Sequence, residues 1–126
     1  MKVRRGETLY QTFPLPINME NIANLYVSYS QNDKLILEKK MEDVIIEDNE
    51  VTIEKEGEEP VTETQTNLTL HLSQEDTLSF THYPAEEKNI VLVQIRLLAN
   101  NGDAYTLPIR HMRVYKAIKN EVITSA

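Results

Sequence analysis

The 126-residue chain contains no cysteine and no tryptophan, only three glycines and five prolines, and few bases: 13 Lys and Arg against 20 Asp and Glu. Each shortage excludes something. Without cysteine there is no disulfide framework and no thiolate chemistry. So little Gly and Pro rules out a low-complexity or linker-dominated chain. No apolar run approaches the roughly 18 residues that a membrane-spanning helix needs, so no membrane partner is expected. A net charge of −7 argues against nucleic acid as the main partner, because neutralising phosphate takes net basic surface. The basic start is not followed by the apolar segment of a secretory leader. The expectation is a protein made and kept in the cytoplasm, or released by a route other than secretion.

What charge there is lies unevenly. Between Glu42 and Glu63 stand ten acids and one base, Lys55, a local net of −9 that exceeds the charge of the whole chain. Both ends are basic by comparison, with Lys2, Arg4 and Arg5 at one and Arg110, Arg113, Lys116 and Lys119 at the other.

The chain is written mainly in period two, which signals strands. Residues 9–15 alternate Leu9, Gln11, Phe13 and Leu15 against Tyr10 and Thr12. A Gly-Glu-Thr-Leu string such as Gly6–Leu9 also opens LysM repeats, but a helix would have to follow. Pro14 and Pro16 forbid it, at about 3 kcal/mol each. Leu25, Val27 and Tyr29 alternate up to Asn32-Asp33, a pair that tolerates positive φ, and Lys34–Lys40 answers as the return strand. Residues 44–46 and 51–53 are short strand candidates, and the acidic residues around them read as a solvated insert. Leu68, Leu70 and Leu72 share one face; Ser73 can cap a helical turn through Leu78, with Glu75 and Asp76 at its positive end.

Val91, Val93 and Ile95 form the most apolar strand, which turns at Asn101-Gly102. The return strand, Ala104 to Tyr115, changes phase near Arg110-His111, as an inserted residue would make it do. Pro108 suggests that this strand runs partly along a sheet edge. The expected core includes Leu70, Leu72, Leu78, Phe80, Val91, Val93 and Ile95. About seven short antiparallel strands with one helical turn predict an all-β sandwich. It forms a single domain over 1–126, with an acidic insert at about 42–63 and a short C-terminal tail from about 117.

Catalytic equipment is sparse. His71, His82 and His111 are scattered and lack metal-ligand spacing, and Ser73 has no nucleophile elbow around it. The acids at 42–63 lack the regular spacing of a calcium loop. The expectation is no enzyme activity, no cofactor and no metal. The six tyrosines could form a sugar-binding platform, although two or three belong in any β core of this kind.

Several strings taken together resemble small phage tail and baseplate proteins of Firmicute prophages. Arg4-Arg5-Gly6-Glu7-Thr8 is similar to their "RRGDT" start, and Ser73–Phe80 (SQEDTLSF) to their "TQEDTLxF" turn. Val93–Arg96 matches a "VQIR" strand, Asn101–Asp103 sits where they carry a "DG" hairpin, and Val114–Ile123 resembles their "VxxxLKxGVI" close. The resemblance implies an immunoglobulin-like sandwich akin to the N-terminal domain of baseplate upper proteins. It also implies a structural, non-catalytic assembly role in the virion, with other tail or baseplate proteins as partners and a homo-oligomer as an open alternative. A surface or carbohydrate-binding adhesion module is the competing reading.

The expected assembly surface is the pair of basic terminal strands, Arg4–Phe13 and Ala104–Tyr115, whose edges could pair with another chain. It comprises Arg4, Arg5, Tyr10, Tyr105, Arg110, Arg113 and Tyr115. The acidic insert is expected to stay free.

Overall fold

A computed structural model describes residues 1–81, 89–117 and 121–125. Described residues form nine strands, β1 (Lys2–Arg4), β2 (Leu9–Leu15), β3 (Ile22–Gln31), β4 (Lys34–Lys40), β5 (Val44–Ile53), β6 (Val61–Leu72), β7 (Ile90–Ala99), β8 (Ala104–Thr106) and β9 (Arg110–Tyr115), and one short helix, α1 (Gln74–Leu78). The larger sheet runs β1-β9-β7-β3-β4, with β8 also on β7, and the smaller runs β2-β6-β5. The protein is all-β and mostly antiparallel. Among the described residues only β1 on β9 is parallel.

One apolar cluster joins the sheets: Phe13, Leu15, Leu68, Leu70 and Leu72 from the smaller, and Leu25, Val27, Tyr29, Val91, Val93, Ile95, Met112 and Val114 from the larger. The period-two pattern therefore placed the inward faces correctly, Gln11 included. A buried amide needs partners. Gln11 finds them across the core, where its Oε1 accepts from the Tyr29 hydroxyl at 2.6 Å and its Nε2 points at the Met112 sulfur, 3.5 Å away. Burial, and secondarily the charge of Asp76, push the Tyr29 phenol far above its ordinary pKa, so it stays a donor. Leu78, expected in the core, is only half-buried, because it packs over Gly6 at the rim.

Nine strands stand where about seven were expected, for two physical reasons. First, Arg4–Phe13 is not one strand. The chain turns at Gly6 (φ 85°), with Glu7 N–H donating to the Arg4 carbonyl at 3.1 Å. It thereby passes from β1 in one sheet to β2 in the other. Second, Ala104–Tyr115 is split. Val93 pairs with Arg110 and Arg96 with Thr106, so three steps along β7 face four along the return. The extra residue lies at 107–109, beside Pro108, rather than at Arg110-His111. Pro14 is tolerated because β2 ends its sheet.

The hairpin turns follow their sequence signals. Asn32 and Asp33 both take positive φ (53° and 61°) between β3 and β4. Gly102 (φ 92°) donates its N–H to the Ala99 carbonyl at 3.0 Å to close the β7–β8 turn.

The acidic stretch differs most from expectation. Residues 44–53 are a single ten-residue strand, paired in unbroken register with β6 from Val44↔Leu70 to Ile53↔Val61. Only the connection at 54–60 is a loop. Glu47 to Glu50 do not break the strand because Thr66, Asn67 and Gln65, not like charges, stand opposite Asp48, Glu47 and Asn49. The acids thus lie on an ordered ribbon.

Candidate interaction surfaces

Two of the strings singled out in the sequence, Arg4–Thr8 and Ser73–Phe80, meet at one junction. Ser73 caps α1 by accepting from Asp76 N–H at 3.2 Å, while the Asp76 carboxylate accepts from Ser73 N–H at 2.9 Å. Thr77 of the string is fully buried and its hydroxyl donates to the Glu7 carbonyl at 2.8 Å and accepts from Gly6 N–H at 2.9 Å. Arg5 donates to the Leu78 carbonyl at 2.9 Å. Arg4–Glu7 and Ser73–Leu78 are therefore one clamp, which fixes the sheet-to-sheet turn of the N-terminus against the helix that leaves β6. Lys39 of β4 closes the same corner on Asp76 at 2.9 Å. Burial alone would raise the Asp76 carboxyl, but Lys39 and the Ser73 N–H outweigh it and hold the group below its ordinary value.

The seven expected interface residues do not form one patch. Arg4 and Tyr115 are paired neighbours, with the guanidinium 5.9 Å from the ring centroid, and Arg113 lies two residues along β9, opposite Lys2. Arg5 is engaged in the clamp. Tyr10 lies on the outer face of the smaller sheet, 72% exposed and stacked on His71 at 4.7 Å. Arg110 pairs with inward-facing Val93 and sits over the Phe13 ring at the rim, 5.3 Å from its centroid. Tyr105 stands apart on β8. Of the expected last strand, the β9 part is not an edge, being flanked by β7 and β1, whereas the β8 part has only β7 beside it. The strands with a single neighbour are β1, β4 and β8 in the larger sheet and β2 and β5 in the smaller.

A different surface emerges from the register. Positions alternate with the buried Val3, Met112, Val114, Val91, Val93 and Val27, so Lys2, Arg4, Arg113, Arg96 and Lys40 all point outward from the larger sheet. Glu38 is the sole acid among those outward strand positions. The same face exposes Tyr26 (41%), Ile90 (36%) and Leu98 (43%). Lys2, Arg113 and Ile90 form one cross-strand row, and Arg96, Tyr26 and Lys40 another. Alternation with Val91, Val93 and Ile95 puts Leu92, Arg96 and Leu98 of β7 on this side. That β1 and β4 bring their own bases to the same face is a matter of sheet order, which alternation does not reveal.

The opposite surface is the distal β5–β6 ribbon. β2 covers β6 only from Leu72 to Thr66. Five further pairs, Asn49↔Gln65 to Ile53↔Val61, extend without a third strand. Glu50, Glu54, Glu56, Glu58, Glu59 and Glu63 are exposed there and, among the described residues, join no ion pair. On the side facing away from the core, Val51 (44%) and Val61 (54%) are exposed beside Ile53 and Glu63.

No group of three or more His, Asp or Glu able to hold a metal is found among the described residues, and no described helix is long and apolar enough to cross a membrane. His82 lies outside the described residues. These features define an all-β protein with two charged faces of opposite sign. Comparison of the chain with protein-family models, with curated proteins and with solved structures found no match in any of the three.

Proposed function

We propose that the protein is a non-catalytic structural component of a phage or prophage tail or baseplate, built on an immunoglobulin-like β-sandwich and acting as a protein–protein assembly module. The observation that carries the reading is the segregation of charge onto a broad basic sheet face and a projecting acidic hairpin. Complementary surfaces of this kind give docking its specificity and register. The phage setting rests on the motif likeness. The clamp around Thr77 supplies a physical reason for its two main strings to occur together: each holds the other's backbone, and both serve the fold. The partners on this reading are other tail or baseplate proteins, and the protein resides in the virion.

Tyr10, exposed and stacked on His71, favours a carbohydrate-binding or adhesion module as the second reading. A single stacked ring is a smaller platform than such modules use.

Mass spectrometry of particles purified after prophage induction in the host strain tests the proposal. The protein is expected at stoichiometric levels in the tail fraction. Abundance in the soluble lysate with none in particles would overturn it.

A further inference from the structure

The larger sheet's outer face and the distal hairpin fit one another, but not within one chain. The ribbon continues the plane of the smaller sheet, and the basic face looks out from the far side of the larger one. A hairpin therefore cannot reach the face of its own molecule.

We propose that the acidic β5–β6 hairpin of one copy docks on the outer face of the larger sheet of a second copy. This deepens the assembly reading by naming a partner, and it rests on that reading only for its biological setting. Three observations carry it. The charges are complementary, with Glu63 beside the outward apolar residues of the ribbon and Glu58 and Glu59 in its connecting loop, against Lys2, Lys40, Arg96 and Arg113 on the face. All seven are exposed, and none is in an ion pair among the described residues.

The apolar groups are complementary too. Val51, Ile53 and Val61 lie on one side of the ribbon, and Tyr26, Ile90 and Leu98 on the face. An apolar centre with a charged rim is how specific interfaces are built.

The lengths also agree. The five ribbon pairs are four steps, about 13 Å, which the connection carrying Glu58 and Glu59 extends further, and the six steps of β7 from Ile90 to Arg96, which separate the two basic rows, span about 20 Å. A ribbon two strands wide can lie along that distance with acids reaching both rows. Such a two-stranded ribbon is marginal in water on its own, and the docked copy supplies the missing third layer.

The contact joins different surfaces of identical chains, so it is head-to-tail and must either close into a ring or propagate. It also depends on salt, because exposed pairs are screened once the Debye length falls to about 3 Å near 1 M.

Sedimentation equilibrium of the full chain at low salt tests it with two sets of charge reversals, E58K/E59K/E63K on the ribbon and K40E/R96E/R113E on the face. The wild type is expected to exceed the monomer's 14.6 kDa at least twofold as concentration rises, and to revert near 1 M salt. Each variant alone should stay monomeric, with a circular dichroism melt like the wild type's, and an equimolar mixture of the two should associate again. That recovery excludes misfolding as the cause of the loss. A wild type that remains monomeric at low salt, or variants that associate as strongly as it does, would overturn the proposal. Either result would leave recovery in tail particles free to uphold the assembly reading with other partners.

Discussion

The two halves of the β5–β6 hairpin have the same backbone pairing and opposite surroundings. From Val44↔Leu70 to Glu47↔Asn67 the ribbon has β2 on its flank and Leu68 and Leu70 sunk in the common core. From Asn49↔Gln65 outward it has neither, and ten consecutive paired residues bury no large side chain fully. The ladder hydrogen bonds continue through both halves, so pairing alone does not set their stability. Burial does, at roughly 25 cal/mol for each Å² of apolar surface removed from water. The inner half belongs to the fold, and the outer half belongs to whatever covers it.

The largest effect should come from breaking the inner half. Leu68 is fully buried, so Leu68→Ala should cost about 2–5 kcal/mol through lost transfer energy and the cavity left behind. Urea denaturation reads it as a lower midpoint with an unchanged slope.

Next comes the polar link between the sheets. Tyr29→Phe removes the only donor that the Gln11 carbonyl oxygen has among the described residues, and an unsatisfied buried acceptor costs about 1–3 kcal/mol. The same melt comparison checks it, and Tyr29→Phe paired with Gln11→Leu should recover part of the loss.

The third prediction concerns the corner where Asp76 meets Lys39 and Ser73. The folded state holds this carboxyl below its ordinary value. Its contribution is therefore complete above about pH 5 and is lost as pH falls through the folded-state value. Asp76→Asn should lower the melting temperature at neutral pH and flatten its decline in acid. An unchanged acid limb would show that the pair is screened away.

The smallest effect belongs to the outer half. Val51→Thr keeps a β-branched side chain at an exposed position and should change monomer stability by less than about 0.5 kcal/mol. A loss comparable to that of Leu68→Ala would mean that the two halves are not different at all.

The comparison also explains what could be read in the sequence. Inward faces were legible wherever alternation was clean, as at Leu68–Leu72 and Val91–Ile95, and the turn pairs Asn32-Asp33 and Asn101-Gly102 carried their own positive-φ signal. The cap at Ser73 was legible because its partner Asp76 lies three residues on. Sheet order was not. Nothing local to Arg113 tells that β1 will flank β9, or that Arg96 and Lys40 will share its face, since these are pairings between residues far apart in the chain. The strand through Glu47–Glu50 was hidden for a related reason. Acids disfavour a strand on propensity, but here their cross-strand neighbours on β6 are neutral, and that neutrality appears only once the register is known.

Residue-resolved amide hydrogen exchange on dilute and concentrated protein at low salt tests the central contrast most directly. The account predicts strong protection at 66–72 under both conditions and weak protection at 49–53 and 61–65 when dilute. On concentration the distal amides should slow together with the exposed edge strands β1 and β4, whose outward bases take part in the contact. Equal protection along the whole hairpin at every concentration, or slowing confined to β2 and the β8 turn, would contradict it.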